Sequence, residues 1–250
     1  MDRKIPVLIR RSDMADRLFI VIPAYNEQDN IKQVVNDWYP IVEKFGTDSR
    51  LVVIDDGSRD NTFEILKELS KDMPRLTALT KPNAGHGATV LYGYNYALDN
   101  GADYIFQTDS DGQTLPSEFE PFWIARNKYD ITIGYRNKRR DGIMRVFVTK
   151  VLRLVVYLCF KVYVLDANTP YRLMSAETLR ENLKYIPDDF FLTNVALSAI
   201  YKKKRQKVHF IPISFRPRQG GKNSINLIKI IKVGTESIRS FIVINDKVGS

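Results

Sequence analysis

The chain has a single cysteine, Cys159, and only two histidines among its 250 residues. A lone cysteine forms no internal disulfide, and no Cys/His group has the spacing of a zinc site. A reducing compartment fits that usage. The N-terminal stretch MDRKIPVLIRRSDMADR has neither a long apolar core nor a small-residue cleavage site. It does not read as a signal peptide, and the cytoplasm is the expected location. Long hydrophobic runs are missing as well. The most apolar region, Val146 to Leu165, is interrupted by Lys150, Arg153 and Lys161. Its longest uncharged run, Leu154 to Phe160, is far shorter than the ~20 residues a spanning helix needs, so no transmembrane segment is expected. There is no P-loop and no spaced-glycine dinucleotide fingerprint. Helix-turn-helix, zinc-finger and aromatic RNA-binding signatures are absent too, so nucleic acid is not an expected partner.

Acidic residues are outnumbered, 29 against 38 basic ones, which leaves a net charge of +9. Such a balance points to polyanions, whether nucleic acid, an anionic membrane surface or phosphorylated small molecules, without choosing among them. Hydrophobic content of 44% and charged content of 27% are those of a folded globular chain. The length allows one large domain or two small ones.

Apolar runs alternate with helical patterns through about residue 135. Strands are expected at Leu18 to Pro23, Leu51 to Asp55, Arg75 to Thr80, Asp103 to Thr108 and Asp130 to Tyr135. Helices are expected at Asn30 to Phe45, Asn61 to Lys71, Gly87 to Gly101 and from Pro116 to Asn127. This alternation predicts an α/β fold, a mostly parallel sheet with helices on both faces. Beyond residue 135 come the basic stretch RNKRRDGIMR and the helix Val146 to Leu165. DANTPYRLMS, a helix near Phe191 to Lys203, a strand Val208 to Phe215, a Gly-rich loop and a basic amphipathic helix from Ile225 to Ile242 follow. No linker or repeat divides the chain. It reads as one domain over 1–250, with a nucleotide-binding part at about 18–135 and an elaboration after 136.

In parallel sheets, ligands sit beyond the carboxyl ends of the strands. The chemistry is therefore expected in the loops Pro23 to Glu27, Asp55 to Asp60, Lys81 to Gly87 and Asp109 to Gln113. Asp109 and Asp111 stand two apart just after an apolar strand. Crowded carboxylates repel unless a cation is shared, and Mg2+ or Mn2+ commonly takes one or two carboxylates plus substrate phosphates. A solvated acidic turn is the plainer alternative. Asp55 and Asp56 could accept hydrogen bonds from a base or ribose, while Ser58 and Asp60 read as turn chemistry. The glycines of KPNAGHGAT allow close backbone approach ahead of a helix start that could face an anion. His86 in that loop reads as a positioned polar group.

Taken together and in order, PAYNE (Pro23 to Glu27), DDGSRDNT (Asp55 to Thr62), NAGHGAT (Asn83 to Thr89) and DSDGQTLP (Asp109 to Pro116) resemble the family 2 glycosyltransferases of the GT-A fold. GYRNKRRDG (Gly134 to Gly142), DANTPYRLMS (Asp166 to Ser175) and GGKNS (Gly220 to Ser224) extend the resemblance to about Leu18 through Ile225. The match is closest to the branch of dolichol-phosphate mannose synthases and bacterial polyprenyl-phosphate glycosyltransferases.

That resemblance implies an inverting, metal-dependent transfer of a hexose from a GDP- or UDP-linked sugar to a polyprenyl phosphate at the cytoplasmic membrane face. A hydroxyl acceptor on a glycan or lipid-linked saccharide is the alternative. It implies that Pro23, Ala24, Tyr25, Glu27, Asp55 and Asp56 border the nucleoside, with Asn83, Gly87 and Ser110 beside the donor. Asp109, Asp111 and Gln113 would hold Mg2+ or Mn2+. Arg136, Arg172 and Lys222 would lie near donor or acceptor phosphates, and Asp188 or Asp189 would supply a general base if one is needed. Where the family often has Gly-Phe-Arg or Ser-Phe-Arg, this chain has Pro170-Tyr171-Arg172, a stiffer turn; where Ala is common between the two carboxylates, it has Ser110.

The helix Val146 to Leu165 sets Lys150, Arg153, Tyr157 and Lys161 in one narrow stripe. It is either a core helix with a solvated edge or an interfacial helix whose basic side chains reach phosphates. With Asn137 to Arg140, Lys202 to Arg205 and the last helix, the second reading implies an anionic membrane surface and a peripheral location.

Overall fold

The computed structural model describes residues 16–136, 143–216 and 227–249, the side chains of 143–149 and 227–236 excepted. Lys222, Asn137 to Arg140 and Gly220 to Ser224 lie outside the described residues.

Seven strands form one sheet. They are β1 (Leu18–Ala24), β2 (Arg50–Asp55), β3 (Leu76–Thr80), β4 (Tyr104–Gln107), β5 (Ile131–Arg136), β6 (Arg172–Ser175) and β7 (Val208–Ile213), in the spatial order β3-β2-β1-β4-β6-β5-β7. All neighbours are parallel except β6, which runs antiparallel to both β4 and β5. Strand β1 is buried along its whole length. Its unbroken apolar sequence, LFIVIPA, is what a strand covered on both faces requires.

The helices are α1 (Ile31–Lys44), α2 (Thr62–Asp72), α3 (His86–Asp99), α4 (Glu120–Ala125), α5 (Ile143–Phe160), α6 (Ala176–Leu183), α7 (Thr193–Lys203) and α8 (Leu227–Gly249). One face of the sheet packs against α1, where Val34, Val35, Trp38 and Val42 are buried. Phe106 and Tyr171 meet Trp38 there, with Phe119, Phe122 and Trp123 closing the cluster. The other face carries α3, α5, α6, α7 and α8, with Tyr94, Val156, Phe160, Leu197 and Phe241 in its core.

The chain order reverses between β1 and β4. Connections run outward to β2 and β3 on one side and to β6, β5 and β7 on the other. At such a switch point the loops leaving β1 and β4 separate to opposite sides and leave a crevice.

Three features depart from expectation. Strand β6 falls inside the motif DANTPYRLMS, and helix α6 after it was not expected; Ser175, which ends β6, caps α6 by accepting from Thr178 N at 3.4 Å. The helix expected from Pro116 is a 3-10 turn (Pro116–Glu118) followed by the short α4. Helix α5 stops at Phe160. Lys161 takes φ 57° and donates its amide to the Tyr157 carbonyl at 2.9 Å, a left-handed helix closure. Lys161 is therefore not on the helix. Arg153 is also drawn inward, its guanidinium on the Leu165 carbonyl. The outer face of α5 keeps Lys150 and Tyr157 of the expected stripe and is otherwise apolar: Val151, Leu154 and Leu158 are exposed beside them. No helix among the described residues is long and apolar enough to cross a membrane.

Candidate active site

Two loops meet first. After β1, Asn26 adopts φ 53°. Its amide donates to Ser58 Oγ at 2.9 Å, and its side-chain oxygen accepts from Arg59 N at 2.8 Å. Glu27 N donates to Thr62 Oγ1 at 2.9 Å, and Gln28 N donates to Asp60 Oδ2 at 3.2 Å. The turn residues Ser58, Asp60 and Thr62 thus lace the loop after β2 to the loop after β1. Neither Asn26 nor Asp29 caps α1; its N-cap, Asn30, donates its side-chain amide to Glu27 Oε2 at 2.6 Å.

The carboxylate of Asp56 organises the third loop. It accepts from Ala84 N and Gly85 N, each at 2.9 Å, and pairs with Lys81 Nζ. Burial opposes its ionisation, but the hydrogen bonds from Lys81 and Ala84 and the Lys81 charge outweigh burial and hold the carboxyl below its usual range. Asn83 Nδ2 donates to the Asp56 carbonyl at 2.8 Å. Asp55 is different. It is 2% exposed, and its oxygens accept from Ser58 N and Thr80 Oγ1, so it stiffens the strand end and does not line the cleft.

The fourth loop carries the two carboxylates. Asp111 Oδ1 accepts from Gln113 N at 3.0 Å across Gly112, whose φ of 69° makes the turn. Asp109 Oδ1 lies 3.1 Å from His86 Nε2 at the start of α3. Desolvation in the cleft works against a charged imidazole, but the hydrogen bond and charge of Asp109, with the charge of Asp56, raise the pKa of His86 above its usual value.

These loops enclose a cleft of about 400 Å3 at the carboxyl end of the sheet. The first loop contributes Pro23, Ala24, Tyr25 and Glu27, and the second Asp56. Asn83, Gly85, His86 and Thr89 come from the third loop and α3, and Asp109, Ser110 and Asp111 from the fourth. Four loops far apart in sequence converge as expected from strand-end positions alone.

Several expected site residues stand elsewhere. Arg172 is fully buried, and its guanidinium donates to the carbonyls of Thr169, Ala167 and Asn194. Its donors go to three backbone carbonyls because β6 places it inside the sheet. Gln113 is not in the cleft wall; its Nε2 donates to the Arg216 carbonyl at 3.3 Å. Gly87 packs against the chain before α7, where a β-carbon would fall 2.2 Å from the Phe190 oxygen. Arg136 stacks over Phe215 at 3.7 Å from the ring centroid, outside the cleft. Asp188 and Asp189 are exposed and outside it too. They do not cap α7, whose N-cap is Leu192. The basic run Lys202 to Arg205 ends α7 and leads into the start of β7, at the end of the sheet opposite the cleft. Lys81 was missed, although a lysine just after a strand and facing an Asp-Asp pair was a readable signal.

Could these residues hold a divalent cation? Among the described residues, no group of three or more His, Cys, Asp or Glu side chains forms a closed metal cage. Two adjacent carboxylates at the open cleft fit a cation that completes its shell with water and ligand phosphates.

The model of glycosyl transferase family 2 matches residues 19–217. The UDP-N-acetylglucosamine–dolichyl-phosphate N-acetylglucosaminyltransferase of Methanococcus voltae is 28% identical over 223 residues, 80% of this chain and 86% of that protein. The undecaprenyl-phosphate 4-deoxy-4-formamido-L-arabinose transferase of Pseudomonas fluorescens is 28% identical over 140 residues, 55% of this chain and 40% of that protein. The chain thus matches less than half the length of this second relative. Among solved structures, glucosyl-3-phosphoglycerate synthase from Mycobacterium tuberculosis with UDP aligns with a TM-score of 0.65 at 17% identity, over 92% of this chain and 80% of that one. The same enzyme with Mn2+, UDP-glucose and phosphoglyceric acid aligns with a TM-score of 0.66 at 18% identity, with the same coverage. At this level of identity the likeness is one of architecture: the sheet and its helices are GT-A.

Proposed function

The chain belongs to glycosyl transferase family 2, and from that premise we propose that it moves a hexose from a UDP- or GDP-linked sugar to a polyprenyl phosphate, with inversion, at the cytoplasmic face of a membrane. The observation that carries this reading is the convergence of Asp109 and Asp111 with the β1, β2 and β3 loops on one open cleft.

In this reading Ala24, Tyr25 and Glu27 border the base and ribose. Asp56 acts through the loop it holds, setting Asn83 and Gly85 against the donor. Asp109 and Asp111 would hold Mg2+ or Mn2+, which when bound neutralises charge on the departing diphosphate. His86 fixes Asp109 from the start of α3, and the positive end of that helix dipole favours the same anion. An acceptor phosphate oxygen forms the new bond to the anomeric carbon while the bond to the nucleoside diphosphate breaks. Such an oxygen is largely anionic at neutral pH, its second pKa being about 6, so no strong base is needed. The exposure of Asp188 and Asp189 away from the cleft agrees with that.

A lipid acceptor needs a surface that meets lipid. Eight of the twelve exposed large hydrophobic side chains among the described residues lie on α5, α8 or the loop after α5. They include Leu154, Leu158, Tyr163, Ile242 and Val243. Helices α5 and α8 pack together through Phe160 and Phe241, 5.6 Å between ring centroids. Phe191, half exposed, adds an apolar side chain next to Gly85 of the cleft. We assign α5 and α8 to the bilayer interface.

Thermal stabilisation by a panel of nucleoside diphosphates, with Mn2+ and with a chelator, tests the donor half. UDP or GDP should stabilise the protein only with metal, and Asp111→Asn should remove the effect without lowering the ligand-free Tm. Metal-independent stabilisation of equal size in that variant would overturn the assignment.

A further inference from the structure

The carboxylate loop is not packed directly on the helix beside it. A small cleft of about 130 Å3, lined by Asp29, Asn30, Gln33, Val34, Asp37 and Gly112, separates the turn at Gly112 from α1. Yet the turn needs support, since Gly112 is its hinge and Asp111 Oδ1 accepts from the amide of Gln113 within it. The exit of β7, the edge strand, supplies that support on the face of the sheet that carries α1. Arg216 N donates to the Gln113 carbonyl at 2.8 Å, and Gln113 Nε2 returns a bond to the Arg216 carbonyl at 3.3 Å. The Arg216 side chain then crosses to α1, where Nη2 lies 3.2 Å from Asp37 Oδ2. Asp37 is itself held by Gln33 Nε2 at 2.7 Å on its other oxygen. Two residues earlier, Ser214 N donates to both Glu118 oxygens at 2.9 and 3.0 Å, fixing the strand exit beyond the loop.

We propose that Arg216 is a positioning residue for the metal-binding carboxylates, spanning the gap from α1 to Gln113 and so setting the direction of Asp111. The inference rests on the reading of Asp109 and Asp111 as metal ligands. Helix α1 is a firm anchor because Trp38, adjacent to Asp37, is 1% exposed in the aromatic core. The ion pair is partly exposed and adds little stability by itself. Its contribution is geometric, as for groups that orient metal ligands without touching the metal. Without the guanidinium, the backbone of residue 216 keeps its bonds to Gln113, but the pair loses its tie to α1 and the turn can shift into the small cleft.

The test uses the full chain and the variants Arg216→Ala, Asp37→Asn, their double and Arg216→Lys. Mn2+ affinity is measured with saturating UDP or GDP, and hydrogen exchange at 111–113 is followed without metal. Arg216→Ala and Asp37→Asn should each weaken Mn2+ binding about tenfold and deprotect the Gln113 amide, with the Tm nearly unchanged. The double variant should lose no more than either single one, because both break one link. Arg216→Lys, which keeps the charge, should recover most of the affinity. Wild-type Mn2+ affinity and exchange in both single variants would overturn the proposal, as would losses that simply add. A wild-type protein that binds no Mn2+ with either nucleotide would instead refute the metal-ligand reading beneath it.

Discussion

Arg172 stands directly opposite Gln107 across the β6–β4 pairing, and both side chains are fully buried. Gln107 accepts a hydrogen bond from the Tyr94 hydroxyl, and Arg172 gathers three backbone carbonyls. Arg172 is thus a structural cation under the cleft floor. Arg172→Ala would leave those carbonyls buried without donors and should cost about 3 kcal/mol of stability. Urea unfolding checks this. A variant of normal stability that had lost only donor binding would restore Arg172 to the phosphates.

This residue also shows how far a sequence can be read. The parallel strands were legible because each is an apolar run followed by turn residues, and the cleft followed from their carboxyl ends. Strand β6 was not legible, because four residues that begin with arginine look like loop. Its burial comes from pairing with two strands distant in sequence, which no local pattern reveals. The same cause misplaced Gln113. Only the family resemblance made it a candidate ligand, and its partner, Arg216, is brought there only by β7. On α5, periodicity found the helix but not its neighbours: Lys150 and Tyr157 are exposed as expected, while Arg153 turns to the Leu165 carbonyl and Lys161 falls beyond the helix end.

Asp56 makes the site sensitive to acid. Its carboxyl titrates lower in the folded chain than its ordinary value of 3.8. Ionised Asp56 therefore contributes stability that is present above that value and is lost as pH falls through the folded one. Lys81→Met removes the charge and the side-chain donor and leaves the burial that raises the pKa. Its acid-unfolding limb, followed by circular dichroism, should move to higher pH than in the wild type. Coincident limbs would show that Lys81 does not hold Asp56.

Gly87 joins α3 to the segment before α7. A β-carbon there would meet the oxygens of Phe190 and Phe191 at 2.2 and 2.5 Å. Both are backbone atoms that cannot swing aside, and Thr193 Oγ1 donates to the Gly87 carbonyl at 3.2 Å across the same contact. Gly87→Ala should cost about 2 kcal/mol and show as a lower Tm. An unchanged Tm would mean that this contact has slack.

The apolar face of α5 predicts a polarity of membrane binding. Leu154→Glu with Leu158→Glu replaces two exposed side chains and should leave the fold intact. It should lower co-sedimentation with anionic vesicles several-fold. Arg205→Gln with Lys207→Gln, at the other end of the sheet, should lower it much less. The reverse order would place the membrane at the basic end and separate it from the cleft.

The central claim is sugar transfer to a lipid phosphate, and one assay measures it directly. The protein is incubated with Mn2+, radiolabelled UDP- and GDP-hexoses, and either a polyprenyl phosphate in vesicles or a soluble saccharide with free hydroxyls. Label is expected in an acid-labile polyprenyl-phosphate hexose, none in the saccharide, and none in either with Asp111→Asn. Turnover on the saccharide with none on the polyprenyl phosphate would contradict it.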